Sequence, residues 1–253
     1  MPRWEDVAAV NELARTCDIA QYGTPDCTEE DIRDDWQVPG FDLERDAWLV
    51  WEPDGRLVGY GSIWDQNPGV RLSGDVIVHP DWAGGEVGRA LLSLVEARAR
   101  LRVREGPPAA PVSLGVMCAG VNAAKIRLLE EAGYPHVRSF FRMSIDLGAG
   151  YEKPRDPPGI AIRPFRLGVD ERATHAVIED SFSEHFGFSP RAFETWWTRH
   201  AKHERFDPDC WLLAWDGDRI AGALLAFPFA DMGYVREIGV LKAHRGRGIA
   251  TAL

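Results

Sequence analysis

The most informative segment of this chain spans residues 237–251: Glu237-Ile238-Gly239-Val240-Leu241-Lys242-Ala243-His244-Arg245-Gly246-Arg247-Gly248-Ile249-Ala250-Thr251. The apolar run at the start is typical of a strand, the Arg/Gly segment of a tight loop, and the residues from Ile249 onward of the first turn of a helix. In such a turn several backbone N–H groups point outward together, and the helix dipole adds partial positive charge. The segment therefore predicts a pyrophosphate-binding loop, with Arg245 and Arg247 adding charge-assisted contacts.

The same organisation occurs twice within the 253 residues. Segments typical of a β-hairpin at 46–64 and 209–227 align at an offset of 163 positions, which places Trp48 on Trp211. The strand and loop that follow align at an offset of 162. Two helical segments precede each hairpin. Such repetition indicates two copies of one structural unit.

The repeat predicts two domains, 1–147 and 160–253, joined by a Gly/Pro-rich linker at 148–159. We expect each domain to be α/β (α+β), with a mixed, mostly antiparallel sheet flanked by helices. The second copy opens with a strand at 160–163 that maps to positions before residue 2 in the first copy. It ends inside a helix, so the second domain is expected to be incomplete at its C-terminus.

Composition narrows the class of function. The formal charge of −10 is unfavourable for general nucleic-acid binding and weakly favours cationic substrates such as amines. The N-terminus has no signal-peptide pattern, and no apolar run approaches the length of a membrane span. We therefore expect a cytoplasmic protein with no metal, no membrane partner and no nucleic-acid partner. The four cysteines form no CxxC pair and no metal-ligand spacing, which is typical of a reducing compartment: Cys17, Cys27, Cys118 and Cys210.

Three positions of the loop carry a family resemblance. Arg245, Gly248 and Ala250 fit the pattern R-x-x-G-x-A after a strand, which resembles the acetyl-CoA loop of GNAT N-acetyltransferases. The alternatives are an Arg/Gly-rich surface turn, an RNA-binding RGG tract and a dinucleotide-binding loop; the last lacks G-x-G-x-x-G and a βαβ unit. The combination of an eroded first copy with a well-formed second copy resembles the mycothiol synthase type of tandem GNAT protein.

The resemblance implies acetyl-CoA as the co-substrate. The strand would pair through its backbone with the pantetheine arm, and the loop would hold the phosphates. The residues expected on acetyl-CoA are Ile238, Gly239, Val240, Arg245, Gly246, Arg247, Gly248, Ile249, Ala250 and Thr251.

The equivalent loop of the first copy, at 79–88, is eroded. Ala83 stands where the family has Arg or Gln, and Glu86 replaces a Gly, which would place a carboxylate against a phosphate. The segment 122–134 resembles a further GNAT helix, but Leu129 replaces the Tyr that commonly protonates the CoA thiolate in the family. We expect at most a weaker second site here, formed by Val76, Ile77, Val78, Gly84, Gly85, Val87, Gly88 and Arg89.

Candidate catalytic residues follow from the same resemblance. Glu237 occupies the strand position from which GNAT enzymes often supply a general base, directly or through water; the alternative is an edge-strand or surface carboxylate. Its counterpart Asp75 is expected to be structural. His185 lies in a loop between two helices, where it either contacts the acceptor or is solvated. His200 and His203 lack a third ligand for a metal. The tryptophans Trp196, Trp197 and Trp211 are expected in the core.

These features together predict an N-acetyltransferase that moves an acetyl group from acetyl-CoA to a primary amine of a small molecule or peptide. The working site is expected in the second copy, and the family's usual tyrosine acid would lie beyond residue 253. We expect a monomer or a homodimer. The alternative that the sequence leaves open is a non-catalytic acyl-CoA-binding or scaffold protein with two decayed copies.

Overall fold

The chain divides into two units, Met1–Phe141 and Arg142–Leu253. The computed structural model describes residues 1–25, 27–67, 71–104, 112–146, 148, 154–229 and 232–253. The predicted linker falls within the second unit, but its residues 149–153 lie outside the described part, as does Leu147. The predicted domain limits therefore stay predictions. None of the described helices is both long and apolar enough to span a membrane.

The first unit is built on one four-stranded sheet. Its elements are α1 (Val7–Tyr22), α2 (Glu29–Trp36), α3 (Leu43–Asp46), β1 (Ala47–Trp51), β2 (Leu57–Asn67), β3 (Arg71–Val78), α4 (Glu86–Val103), β4 (Ser113–Val116) and α5 (Ala123–Glu131). The strand order is β1-β2-β3-β4. The first three strands are antiparallel, and β4 runs parallel to β3.

Alternating strand residues build a core on each face of this sheet. On one face α1 and α2 bury Val10, Leu13 and Trp36. On the other face α4 buries Leu91 and Val95. Each such side chain stabilises the unit by about 1.5–3 kcal/mol relative to exposure in water.

A buried ion cluster fastens the start of β1 to α4. Asp46 is fully buried, and its two carboxylate oxygens accept hydrogen bonds from Arg98 Nε and Arg102 Nη2, each at 2.6 Å. An unpaired buried carboxylate would cost several kcal/mol, so the two guanidinium groups are what make this position tolerable.

The second unit has its own four-stranded sheet. Its elements are β5 (Ile160–Pro164), α6 (Glu171–Phe182), α7 (Phe193–Ala201), β6 (Trp211–Asp216), β7 (Arg219–Pro228), β8 (Gly233–Val240) and α8 (Ile249–Ala252). The strand order is β5-β6-β7-β8, and every neighbouring pair is antiparallel. A mixed sheet was expected in both copies, but within the described residues a parallel strand occurs only in the first unit.

Aromatic rings fill the core between this sheet and α7. Trp196 and Trp211 are fully buried with ring centroids 6.0 Å apart, and Phe165 lies 5.0 Å from Trp211. Trp197 is partly buried at the margin of the same cluster. The expected core role is thus confirmed for Trp196 and Trp211.

The two sheets share three strands, as the sequence repeat predicts. Strands β1-β2-β3 correspond to β6-β7-β8, and each sheet adds one strand of its own, β4 in the first unit and β5 in the second. Helices α1 and α2, like α6 and α7, precede the shared strands. The fold is therefore a tandem α/β arrangement with two separate sheets rather than one continuous sheet.

Candidate active site

The predicted pyrophosphate loop follows β8. A 3₁₀ turn at Lys242–His244 leads out of the strand, and α8 begins at Ile249. Gly246 and Gly248 have φ angles of 76° and 78°, a left-handed conformation in which a side chain is strained. The first helical hydrogen bond runs from Ala252 N–H to the Gly248 carbonyl, so the N–H groups before it have no helical acceptor. The loop thus offers the backbone donors that an anion site requires.

A cleft of about 260 Å³ lies beside this loop. Strand β8 and the loop form one wall, and the end of α6 with the turn after it forms the other. The lining residues are Ser181, Phe182, His185, Ile238, Gly239, Val240, Arg245 and Ala250. Five residues expected on acetyl-CoA and the residue expected on the acceptor therefore share one cleft. The His185 ring is held against Phe182, with centroids 4.5 Å apart.

Other residues expected on the cofactor do not line this cleft. The side chain of Ile249 is buried in a small core with Ala214 and Ala221, so only its backbone N–H is free to meet a ligand. The cofactor residues outside the lining are Gly246, Arg247, Gly248, Ile249 and Thr251, and the predicted base Glu237 also lies outside it.

The guanidinium groups of the loop already have protein partners. Arg245 donates to the Ser181 carbonyl at 3.0 Å and pairs with Glu184 at 3.3 Å. Arg247 pairs with Asp216 at 2.9 Å. These contacts fasten the loop to the end of α6 and to the end of β6. These protein partners compete with a phosphate for the two guanidinium groups, whereas the backbone donors are already available.

Glu237 is held in a partly buried polar network. Its side chain is 13% exposed, pairs with Arg191 at 2.9 Å and accepts a hydrogen bond from Trp196 Nε1 at 3.3 Å. Arg191 in turn pairs with Glu179 at 2.8 Å. Glu237 is thus fixed in position and is not a free surface carboxylate.

His200 on α7 borders this network. It is fully buried, its Nδ1 lies 2.8 Å from the Trp196 carbonyl, and its Nε2 lies 3.8 Å from Glu237. Nε2 has no hydrogen-bond partner in the described part of the chain. Burial lowers the pKa of His200, which favours the neutral imidazole. His203 stacks on Phe227 at 4.5 Å, and no three metal-binding side chains converge among the described residues.

Comparison with known proteins identifies the family. The model of the acetyltransferase (GNAT) family matches residues 7–134 and again residues 173–253. The chain belongs to the GNAT family. It is 30% identical over 256 residues to the mycothiol acetyltransferase of Geodermatophilus obscurus, an alignment that covers 98% of this chain and 79% of that protein.

Solved structures support the same assignment. A GCN5-related N-acetyltransferase from Sphaerobacter thermophilus is 35% identical, with a TM-score of 0.84 over 100% of this chain and 78% of its own. A tandem GNAT protein from the clavulanic acid biosynthesis pathway is 20% identical and shares the fold, with a TM-score of 0.58 over 98% of this chain and 79% of its own. The chain is therefore an acyl-CoA-dependent N-acetyltransferase. This finding disfavours the alternative of a non-catalytic acyl-CoA-binding or scaffold protein.

The first GNAT unit uses its corresponding groups differently. Asp75, the counterpart of the predicted base, pairs with Lys125 of α5 at 3.0 Å. The Cys17 thiol donates to the Val78 carbonyl at 3.3 Å, and burial raises the pKa of Cys17 to about 11, so the thiol stays protonated at neutral pH. Glu86 is exposed in the first turn of α4. The carboxylate of Asp75 and the carbonyl of Val78 thus already have partners within the protein.

Several side chains of the predicted weaker site face the protein core. Val76 of β3 and Val87 of α4 are buried in the same core, and a Cβ on Gly88 would lie 3.0 Å from Leu128. Gly84 keeps the left-handed turn, with a φ of 76°. Of the remainder, Ile77, Val78 and Gly85 are partly buried and Arg89 is exposed. Only the backbone of this loop is well placed for a ligand.

In the first unit, the parallel strand β4 pairs with only part of β3, and the rest of that edge has no neighbouring strand within the described part of the chain. Strand β4 pairs with β3 only over Arg71–Gly74, and in the described residues the segment 75–78 has no partner on that edge. In the GNAT repeat this segment corresponds to 237–240 of β8. The backbone N–H and C=O groups of 237–240 therefore lie in the part of the strand whose counterpart in the first unit does not pair with β4.

Two arginines near the candidate site, Arg191 and Arg236, could not be recognised from the sequence. Arg191 meets Glu237 from the segment between α6 and α7, across 46 positions of chain. Arg236 is the extra residue of a β-bulge in β8, since Leu225 pairs with Glu237 while the next residue of β7 pairs with Val235. The drop in the repeat offset from 163 to 162 marks a length change between the shared strands, but it does not locate the bulge.

Proposed function

We propose that this GNAT protein transfers an acetyl group from acetyl-CoA to a primary amine of a small molecule or peptide, and that the second unit does the work. The observation that carries the proposal is the cleft that the β8 backbone, the loop residues Arg245 and Ala250, and His185 line together. Glu237 is the neighbour of the lining residue Ile238 on β8. In the first unit a carboxylate, Glu86, stands where the phosphate loop of the second unit has Gly248.

In the proposed complex, acetyl-CoA lies along the outer edge of β8. The backbone at Ile238 and Val240 pairs with the amides of the pantetheine arm as an added strand would. The N–H groups of 246–251 hold the phosphates, because their geometry and the helix dipole favour negative charge. Fixing the thioester beside the acceptor removes much of the entropic cost of bringing two reactants together.

The acceptor ammonium must lose a proton before it can attack. In the proposed mechanism Glu237 takes this proton, directly or through a water molecule. The amine nitrogen then bonds to the thioester carbonyl carbon, the carbon–sulfur bond breaks, and CoA departs as a thiolate that takes up the second proton released by the nitrogen. Arg191 and Trp196 hold the carboxylate in a fixed orientation. His185 lines the cleft, and in the proposed complex its ring contacts the acceptor.

The test compares matched substitutions in the two units. Acetyl transfer to a panel of primary amines is followed by release of the CoA thiol, with mycothiol-type amines included because of the relative named mycothiol acetyltransferase. Glu237→Gln should lower kcat/KM by about 100-fold or more, the usual range for loss of a general base. Asp75→Asn should leave kcat/KM within about twofold, since Asp75 and its partner Lys125 both lie in the first unit, whereas the proposed site belongs to the second.

The reverse pattern would assign the working site to the first unit. Activity that survives Glu237→Gln but disappears in Asp75→Asn would have that meaning. An unchanged affinity for acetyl-CoA in Glu237→Gln, measured by calorimetry, would show that the loss is in proton transfer rather than in binding of the co-substrate.

A further inference from the structure

The bulge in β8 brings two charged side chains to the same face of the strand. In a regular strand Arg236 and Glu237 would point to opposite faces. Here the guanidinium carbon of Arg236 lies 5.6 Å from the centroid of the Phe227 ring, and Glu237 contacts Trp196. Since Phe227 and Trp196 belong to the ring cluster around His200, both charges lie on the face that α7 covers.

The first unit lacks this arrangement. Its pairing continues without interruption from Ser62–Asp75 to Ile63–Gly74. Gly74 occupies the position that corresponds to Arg236, and a Cβ there would lie 2.7 Å from a Val95 methyl group. The re-aimed arginine is therefore specific to the unit that carries the proposed active site. Bulges of this kind commonly re-aim a side chain next to an active site.

Arg236 has no anionic partner among the described residues. It is partly buried, yet no carboxylate there lies within 4.0 Å of it, whereas Glu237 and Glu179 are both taken by Arg191. Arg199, exposed on α7, also forms no ion pair in the described part of the chain. Burial lowers the pKa of Arg236, and the nearby charge of Arg199 lowers it further.

This face therefore has more positive than negative charge, within a chain whose formal charge is −10. Among the residues that the structure describes, three guanidinium groups on this face, from Arg191, Arg199 and Arg236, stand against two carboxylates. A partly buried cation without a partner is unfavourable unless a ligand supplies the negative charge. An arginine fork binds a carboxylate or a phosphate through two parallel hydrogen bonds.

The phosphates of acetyl-CoA are too far away to be that ligand. Val240 lies four positions beyond Arg236 on the strand, which at about 3.3 Å per residue is roughly 13 Å, and the glycine loop begins beyond that point. The neighbour of Arg236 along the chain is Glu237, the proposed base. The missing anion thus belongs beside the amine that is acetylated.

We propose that Arg236, assisted by Arg199, binds a carboxylate or phosphate group of the acceptor, so that the acceptor is an amine that also carries a negative charge. The proposal rests on the proposed function, because it places the acceptor beside Glu237. The second unit would then have a residue that determines substrate specificity, which the first unit lacks because it has Gly74 at that position.

The experiment uses two matched pairs of amines, glucosamine 6-phosphate with glucosamine and L-leucine with L-leucinamide. Their binding to the full chain in the presence of CoA is measured by calorimetry, and their acetylation is measured separately. We expect the anionic member of at least one pair to bind about 10-fold or more tightly than its neutral counterpart, and the responding pair tells phosphate from carboxylate. Arg236→Gln should remove this preference, so that the two members of the responding pair bind about equally.

Control variants separate a lost contact from a lost fold. Arg219→Gln, at an exposed position of β7, should keep the full preference. Arg236→Lys should keep part of it, because the charge remains but the planar fork is lost. Arg199→Gln, on the surface of α7, should reduce the preference in the same direction even if Arg236→Gln fails to fold.

The inference is overturned if neither anionic amine binds more tightly than its neutral partner, or if the preference persists in both Arg236→Gln and Arg199→Gln. Anionic amines that bind selectively through Arg236 but are never acetylated would support this site and contradict the proposed function. Acetylation of neutral and anionic amines with equal kcat/KM would support the function and contradict this inference.

Discussion

At the scale of single residues, the second unit depends on a few polar side chains inside an apolar, ring-lined region. Glu237 is tolerated there because Arg191 and Trp196 satisfy its oxygens. His200 is tolerated because it is neutral, with one ring nitrogen bonded to the Trp196 carbonyl. Its second nitrogen faces Glu237 without a hydrogen bond. A charge gained or lost in this cluster changes the contacts by which α7 packs, because Trp196 and His200 both lie on that helix.

His200 should make the stability of this unit depend on pH. Burial lowers its pKa in the folded state despite the opposing effect of Glu237, while Arg236 and Arg191 also disfavour the charged ring. The unfolded chain therefore binds more protons than the folded chain as the pH falls below about 6.5. The stability that neutral His200 contributes is complete above that pH and decreases as the medium becomes more acidic.

Urea unfolding followed by tryptophan fluorescence, at about pH 8 and about pH 5.5, measures this loss. His200→Phe should lose less stability than the wild type between the two pH values, because the ring no longer titrates. The exposed His136 of the first unit provides the control, and His136→Gln should behave as the wild type. An equal pH dependence in wild type and His200→Phe would contradict the prediction.

At the scale of elements, the cleft exists because α6 approaches β8 closely. A Cβ on Gly239 would lie 2.1 Å from Ser181 Oγ and 3.0 Å from Ser181 Cβ. The same position of β3 carries Ile77, which packs against the core under α1. Glycine inside a strand often marks such a close approach. The small residues thus set the distance between the two walls of the cleft.

Gly239→Ala should separate α6 from β8 and destabilise the second unit by about 1–3 kcal/mol, the usual cost of overpacking. Gly233→Ala in the same strand is the matched control, because a Cβ there meets nothing within 4 Å. Thermal unfolding followed by circular dichroism measures both variants. A second substitution, Ser181→Gly, should restore much of the stability of Gly239→Ala by removing the clashing atoms. Equal stability of the two alanine variants would show that the helix adjusts freely.

At the scale of the whole molecule, two copies of one GNAT unit have acquired different chemistry. Both keep a glycine at the first left-handed turn of the loop, Gly84 and Gly246. Only the second has a glycine two residues later, Gly248, where the first has Glu86. A carboxylate at this point would repel a phosphate. The molecule is therefore expected to bind one acetyl-CoA tightly rather than two.

Calorimetry on the full chain should give one tight acetyl-CoA site, and Gly248→Glu should weaken that site by at least about 10-fold, from lost donor geometry and added repulsion. Gly84→Glu introduces the same strain at a similar φ in the first unit and should leave the tight site unchanged. Hydrogen–deuterium exchange should show protection by acetyl-CoA at 237–251 and much less at 75–89. Protection confined to 75–89 would place the tight site in the first unit.

The repeat, the order of the shared elements, the strand–loop–helix context of 237–251 and the family could all be predicted from the sequence alone. These features are encoded locally: alternation sets a strand, glycines at 246 and 248 permit left-handed turns, and the spacing of the two copies is visible as a constant offset. A few neighbouring residues suffice for each of these inferences, so no knowledge of the rest of the chain was needed.

Only the tertiary structure decided how the charged residues are used. Arg245 turns back to the Ser181 carbonyl across 64 positions of chain, and Glu237 meets Arg191 across 46. Arg236 changes face because one residue more is present in β8 than in the strand opposite. The partner of a charge depends on which distant segments pack together, and long side chains take the nearest partner that the fold provides. For this reason the sequence located the loop, while packing determined which of its groups remain free for a ligand.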